Sequence, residues 1–414
     1  MAAANDVSQS PLLKRLYPEG VAFPAYKRSK FLAKMKKDTK FGGLGRQVNV
    51  TISPTSGGSA SFSEALANQG ATTEKNFFLV HRKEYQIGSI QNDLIQRSMG
   101  DKNAIVEAIK HQLDKARYAF SRSLSRKAWG HGGGALGKIS AITTTTIAND
   151  TITLTKRADI VGFFPGMYNQ VASDDGSAVS PAGTRDSGRK VKVLAVQKDA
   201  GKVQYTEAVT AIVGTIVNDF VFRAGDYSVA WSGAQGWNPI TAPAAGDSFM
   251  SLDRFAAGDI NALSGYRVTS AGNKEDTLIN ATAEAALAGF EVSECWVNPL
   301  DMRDLIKEVG TKRVIEGKTN VPGISFKGVE LDTANGTITV ISEGDVPQGN
   351  FWMYNTGEVW IQRSAGDVPM FLNKVGTGPG MLLVAADDDA HQFRLGAYGN
   401  FENSNPGECI IGTF

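Results

Sequence analysis

The chain has two cysteines and four histidines in 414 residues, and that scarcity removes several chemistries at once. Cys295 and Cys409 are too few for a cysteine-built metal cluster or a disulfide framework, so a reducing compartment fits best. His81 and His111 stand alone on basic segments without ligand spacing. An excess of charge of one sign is missing too. Forty-three basic residues against 42 acidic ones leave a net charge of +1. A protein that grips nucleic acid along its surface carries a clear basic excess. Long apolar runs are absent as well. The best, "MLLVAA" (Met381 to Ala386), reads as a core strand and falls far short of the ~18 residues of a membrane span. The opening "MAAANDVSQSP" lacks the charged-then-apolar order of a secretory signal. No internal repeat is visible.

What is present is ordinary for a globular protein: 42% hydrophobic and 21% charged residues, enough sequence for two or three domains with cores of their own. The 45 glycines stand somewhat above the usual proportion and point to turns and strands as well as helices.

Residues 1–45 read as an arm, with Pro11, Pro18 and Pro24 interrupting any early helix. Within it, "KRSKFLAKMKKDTK" (Lys27 to Lys40) sets seven basic residues and one acid beside Phe31, Leu32 and Met35. Lys27, Arg28, Lys30, Lys34, Lys36 and Lys37 form either a solvated helix face or a surface for nucleic acid or an acidic partner. Residues 46–92 alternate in "QVNVTIS" and "NFFLVHRKEYQIGSI" around a Gly/Ser-rich tip, which predicts a long two-stranded ribbon. Such a ribbon is marginal alone, so it is expected to lie on something else and hints at an oligomer.

The strongest pattern is Ile105, Ile109, Leu113, Ala116, Phe120, Leu124 and Ala128, which predicts one amphipathic helix over 101–129, capped by Asp101. At 1.5 Å per residue it would run roughly 40 Å. Arg122, Arg126 and Lys127 suit its C-terminal dipole. Gly130, Gly132, Gly133 and Gly134 then form the turn that stops it.

Residues 146–232 carry short strand patterns, with a hairpin at Asp199-Ala200-Gly201, and are expected to fold as a small inserted all-β domain. Helix returns in "NKEDTLINATAEAALAGF", ended by Gly289. "ECWVNP" then reads as a strand leading to a helix capped by Asn298 and ended by Gly310. Two more hairpins are expected, at Asn335-Gly336 and at Thr356-Gly357.

"WGHGGGALGKIS" (Trp129 to Ser140) nearly spells three active sites. Gly132 to Lys138 is one residue short of a P-loop, but a helix precedes it, Ile139 takes the hydroxyl position and no helix follows. The dinucleotide fingerprint fails because it must leave a strand. The HGGG oxyanion motif requires a G-x-S-x-G elbow, and none is present; His131 is then expected to be an exposed loop residue. "DDDAH" (Asp387 to His391) reads as a turn or an ion-paired interface, since consecutive strand residues point to alternate faces. Cys295 beside Trp296 reads as a core thiol. Nothing in the sequence supports catalysis, a cofactor or a metal.

The order of arm, ribbon, long helix, glycine turn and β insertion resembles the major capsid proteins of tailed bacteriophages. So do "FEVSECWVNPLDMRDLIKEVG", "GVELDTANGTITVISEGDVPQGNFWMYN" and the closing "HQFRLGAYGNFENSNPGECIIGTF". The resemblance implies an α+β Hong Kong 97-type fold: residues 1–45 an N-terminal arm, 46–92 the E-loop and 93–145 the spine helix and peripheral (P) domain. The insert would be 146–232, with 233–414 the axial (A) domain and returning P-domain strands. It also implies a non-enzymatic shell subunit forming hexamers and pentamers around double-stranded DNA contacted non-specifically. A separate scaffolding protein, a portal at one vertex and a decoration protein would be its partners, with assembly in the bacterial cytoplasm and a final place in the virion. An encapsulin-like compartment shares that fold. A nucleotide-binding enzyme and a β-rich adhesin or tail protein are the other readings.

Overall fold

The periodic apolar stripe becomes one 28-residue helix, Lys102–Trp129, in the computed structural model. The structure describes residues 29–93, 102–143, 150–178, 181–309, 317–321, 324–333, 336–372, 383–384 and 388–414. Asp101 and the side chains of Ile105 and Ile109 lie outside the described residues. Ala116, Phe120, Leu124 and Ala128 are buried at four-residue spacing, as a helix with one apolar face requires. The helix lies on the strand Arg82–Gln91, which pairs antiparallel with the C-terminal strand Ala390–Asn403 from Arg82↔Gly399 to Gln91↔Ala390.

That pairing corrects the reading of 46–92 as one ribbon. Gly45–Ser53 and Thr73–Val80 do pair antiparallel, with a short helix, Phe62–Ala67, between them. The chain breaks at His81, and the remaining strand joins a six-stranded sheet with Ala390–Asn403. The ribbon also lies on its own chain. Val48, Val50, Phe77 and Leu79 alternate onto one face and are buried. Phe77 meets Trp237 at 5.1 Å between ring centroids, and the Phe78 amide donates to the Met250 carbonyl at 2.8 Å. One apolar face on each strand is enough once residues 237–263 supply the other wall.

After the glycine turn come six strands that close into a barrel: Phe220–Arg223, Ala135–Thr143, Thr151–Leu154, Lys202–Tyr205, Val191–Gln197 and Tyr168–Ala172, each paired with the next and the last with the first. Ile139, Ile152, Val171, Val193, Val203, Tyr205 and Val221 fill its interior. The hairpin between Val191–Gln197 and Lys202–Tyr205 turns where expected. The boundary at 146 does not hold, because Ala135–Thr143 is a barrel strand. It follows the helix so closely that its short alternation "ALGKISAIT" is masked by the glycines before it.

The largest sheet has seven strands, in the order Tyr266–Val268, Ile410–Thr413, Asn350–Tyr354, Glu294–Val297, Gly336–Ser342, Ile324–Thr333 and Gly317–Val321. Helices Lys274–Leu287 and Pro299–Val309 bring Leu278, Ala281, Ala285 and Leu305 into one cluster with Cys295, Val297, Val340, Phe351 and Met353. Asn273 accepts from the Asp276 amide at 2.7 Å and Asn298 from the Leu300 amide at 3.0 Å, so both helix starts are capped. Gly310 and the turn residue Asn335 lie outside the described residues.

The hairpin expected at Thr356-Gly357 is absent. Asn350–Tyr354 is buried throughout and holds a neighbour on each edge, so it has no free edge for Trp360–Ser364. Residues Thr356–Val359 instead form a helical turn that carries the chain into the six-stranded sheet.

Candidate functional site

The segment 29–41 is where the expected basic arm meets the structure. Lys27 and Arg28 lie outside the described residues. Lys30–Lys34 is a single helical turn whose N-terminus is capped by the Ser29 hydroxyl, with Phe31 and Leu32 buried. Phe31 stands among Trp129, Trp296 and Trp360, with centroids at 4.2, 5.2 and 5.4 Å. An aromatic ring so enclosed is worth about 3–5 kcal/mol against alanine, which fixes this stretch to the core.

The lysines follow the backbone. Lys30 donates to the Ser342 carbonyl at 3.0 Å, and burial lowers its pKa against the pull of Glu343. Lys34 pairs with Glu294 at 2.5 Å. Lys36 and Lys37 are exposed, and Lys36–Asp38 adds a parallel edge strand to Trp360–Ser364. The segment from Ser29 on is therefore not a free arm. Its five lysines conceal three apolar residues, Phe31, Leu32 and Met35, that decide its place.

Glu343 receives that turn. It is buried, and the Lys30 amide donates to its Oε2 at 2.9 Å. Burial, with Asp345 beside it, pushes its carboxyl up to about 7, although the Ser29 hydroxyl and the Lys30 and Phe31 amides favour the charged form.

The glycine turn stops the helix, and its four glycines differ. Gly132 and Gly134 hold φ of +92° and +90°, a region costly for side chains with a Cβ. At Gly133 a Cβ would lie 2.1 Å from the Asp175 carbonyl oxygen, so close approach is the reason for glycine there. Gly130 has neither constraint as tight: the nearest atom to an added Cβ is the Lys127 oxygen at 3.4 Å.

His131 is not the exposed residue expected. It bridges in antiparallel fashion to Ser232, and its Nδ1 accepts from the Gly133 amide at 3.0 Å, with Nε2 3.5 Å from Asp175. Burial lowers its pKa and Asp175 opposes that shift. Lys138 stands in a barrel strand with its ammonium 5.6 Å from the centre of the Phe220 ring. Helix before and strand after are the reverse of a P-loop, so the nucleotide-enzyme reading has no geometry here.

Beside this turn is a buried ion cluster. Glu84, from the strand Arg82–Gln91, is almost wholly enclosed. It pairs with Lys127 of the long helix and with Arg223 of the barrel at 2.6 Å, and accepts from the Ser123 hydroxyl at 2.7 Å. Asp226 completes the balance, 3.0 Å from Lys127 and 3.1 Å from Arg223. Burial alone would raise the Glu84 pKa, but the two cations together hold it below the usual carboxylate value. Arg223 is raised by Glu84 and Asp226 in spite of its own burial. Two acids and two bases thus tie together the helix, the sheet strand and the barrel.

No protein-family model matches the chain, and no curated protein is similar to it in sequence. Among solved structures, 96% of the chain is similar to 96% of a chain in the cyanophage A-1(L) capsid asymmetric unit, at 10% identity and a TM-score of 0.49. The phage G structure of major capsid and decoration proteins matches over all of this chain and 99% of that one, at 8% identity and a TM-score of 0.44. The encapsulin of Synechococcus elongatus matches over 99% of this chain and 95% of that one, at 7% identity and a TM-score of 0.45.

The ion cluster escapes the sequence because its members are far apart: Glu84 is 43 residues from Lys127 and 139 from Arg223. One signal was available. Lys127 lies three residues after Leu124, on the buried stripe of the helix, where an unpaired charge would be costly. No group of three His, Cys, Asp or Glu that could hold a metal occurs among the described residues. Cys295 and Cys409 are buried, and burial raises both thiols. Asp387 lies outside the described residues, and Asp389 turns back to Asn92, whose amide donates to its carbonyl at 3.0 Å.

Proposed function

We propose that the chain is the major capsid protein of a tailed phage, a subunit that assembles into hexamers, pentamers and then an icosahedral shell around double-stranded DNA. One observation carries the reading: large apolar side chains stand in water on three separate elements. Phe62 and Leu66 at the ribbon tip are 82% and 54% exposed, Val213 and Ile216 beside the barrel 70% and 58%, and Leu287 and Ile306 on the helix pair 84% and 49%. One such surface would serve a dimer; three suit a subunit with several neighbours in a closed arrangement. A near-neutral chain also suits a wall that must not condense its own cargo.

In that role the ribbon is the E-loop, the long helix the spine of the P domain, the seven-stranded sheet the A domain, and the barrel an inserted β domain on the outer surface. Lys36 and Lys37 face the interior or a scaffolding protein. A portal, a decoration protein and loosely held DNA complete the particle, which assembles in the host cytoplasm and persists as the virion.

The test is Phe62→Ser with Leu66→Ser in the full chain, followed by sedimentation and electron microscopy beside wild type. Wild type should form shells, and the variant should stay as soluble, folded subunits. Shells of normal yield from the variant would remove the ribbon from assembly, and absence of any particle from wild type under all scaffolding conditions would remove the function. Particles without DNA from the natural host would move the reading to an encapsulin-like compartment.

A further inference from the structure

The loop between the turn Val209–Ala211 and the barrel strand Phe220–Arg223 is more apolar than the barrel requires. Ile212 alone serves the fold, wholly buried in the barrel's apolar cluster. Val213, Ile216 and Val217 stand outside that cluster and are exposed. Single apolar residues on a surface are normal, but three β-branched ones on one loop form a patch. The loop is also held in place. The Thr215 amide donates to the Ile212 carbonyl at 3.1 Å, and the Asn218 amide to the Ile139 carbonyl at 2.9 Å. The Ile216 amide donates to Asp219 at 2.9 Å, and Asp219 is fixed in turn by Arg185 at 2.9 Å. A patch so ordered, built from side chains stiff at χ1, loses little freedom on contact.

The rim decides what fits the patch. The Val213 amide donates to Asp186 Oδ2 at 3.4 Å, so Asp186 borders it. Arg189 reaches Asp186 at 4.0 Å and Glu207 at 3.8 Å, and all three side chains are exposed. Such a rim of both signs sets acids against a DNA phosphate and opposes any partner of uniform charge with part of its groups. A second copy of the same surface returns both signs, and each cation can turn to the other copy's acid. Size is the other constraint. Three side chains fall far short of the ~800 Å² per partner of a stable interface. The contact therefore holds only where other contacts already bring copies together, as in a multivalent assembly.

We propose that the barrels of neighbouring copies meet tip to tip across a two-fold axis, with Val213, Ile216 and Val217 of one against the same residues of the other. The contact rests on the shell reading and forms inside the assembled shell, while free subunits remain unpaired through this surface. The barrel then acts as a clasp between subunits.

The test uses the full chain with Val213→Cys, Ile216→Cys and Val217→Cys made one at a time. Dispersed subunits and assembled particles are oxidised, and disulfide dimers are read on non-reducing gels. Cys295 and Cys409 are buried, so wild type gives no background. A residue near a two-fold axis faces its own copy, so at least one variant should be mostly dimeric in particles and monomeric when dispersed. Ile216→Asp sets like charges face to face; it should lower the temperature at which particles come apart and leave subunit melting unchanged. If wild type assembles and none of the three variants cross-links in particles, the contact is refuted. Ile216→Asp particles as stable as wild type would refute it as well. Equal cross-linking of dispersed subunits would refute its dependence on assembly. Absence of wild-type particles would remove the shell reading first, and this contact with it.

Discussion

Replacing Glu84 by glutamine keeps the shape of the buried side chain and removes one negative charge from a cluster that is otherwise balanced. Lys127 and Arg223 would then share Asp226 alone, which already contacts both at 3.0 and 3.1 Å. Removing one partner of a buried pair costs about 3–5 kcal/mol, since the remaining charge stays desolvated. Asp226 is more exposed than Glu84 and still compensates in part, so the lower end, about 3 kcal/mol, is expected. The assay is urea unfolding of dispersed subunits by circular dichroism, wild type against Glu84→Gln.

The pH dependence adds a second constraint. The folded Glu84 carboxyl lies below its ordinary value of 4.5, so its contribution is complete above that value. It is lost as pH falls through the folded pKa, and the difference between the two proteins should close in acid. Replacing both Glu84 by leucine and Lys127 by methionine leaves Arg223 with Asp226 and no odd charge, so the double variant should be more stable than Glu84→Gln. A cost below about 1 kcal/mol at neutral pH, the range of exposed pairs, would refute the reasoning. So would a double variant no better than the single one.

Other consequences follow from the same geometry. Gly132→Val with Gly134→Val places two β-branched residues at positive φ, costing about 1–2 kcal/mol each before any clash, whereas Gly130→Ala should be tolerated; soluble yield and melting of the two proteins check this. Glu343 has a folded carboxyl raised to about 7 from 4.5, so subunit stability should fall as pH rises between those values. Glu343→Gln should flatten that slope, and unchanged titration of stability would refute it. A fragment spanning 134–226 contains all six barrel strands and should give a dispersed amide spectrum by NMR, while 146–232 lacks Ala135–Thr143 and should not.

Elements with a long, single period were legible. The helix over 101–129 is visible because seven apolar residues recur at spacings of three and four, and strands such as Thr151–Leu154 and Lys202–Tyr205 because they alternate. What failed were readings that depended on where a face goes. Phe31, Leu32 and Met35 looked incidental among lysines, yet three buried apolar side chains outweigh charges that can reach solvent or a partner from a buried backbone. The ribbon's alternation shows that it must lie on something, but not on what, because the covering residues 237–263 carry no periodic signal. Asn355-Thr356-Gly357 is turn chemistry that the tertiary structure uses to change sheets, a choice set by the filled edges of Asn350–Tyr354. Of the ion cluster the sequence shows only Lys127 on the buried stripe, for a simpler reason: its members meet only when three elements have already docked.

That last point bears on what the cluster is for. An apolar junction between helix, strand and barrel would hold as well, since apolar contacts of similar volume commonly replace buried ion pairs without loss of stability. Apolar faces, however, allow small rotations at little cost, while Arg223 must meet Glu84 and Asp226 at once and Lys127 must meet the same two. Four directional contacts admit one arrangement of the three elements. In the proposed shell that matters more than stability, because a closed symmetric assembly repeats any error of angle at every copy. The double apolar variant separates the two roles. It should unfold at denaturant concentrations near wild type and yet give particles of mixed size or open sheets by electron microscopy. Uniform shells from that variant would mean that packing alone sets the angle between helix and barrel, and the cluster would then be only a means of burying four charges.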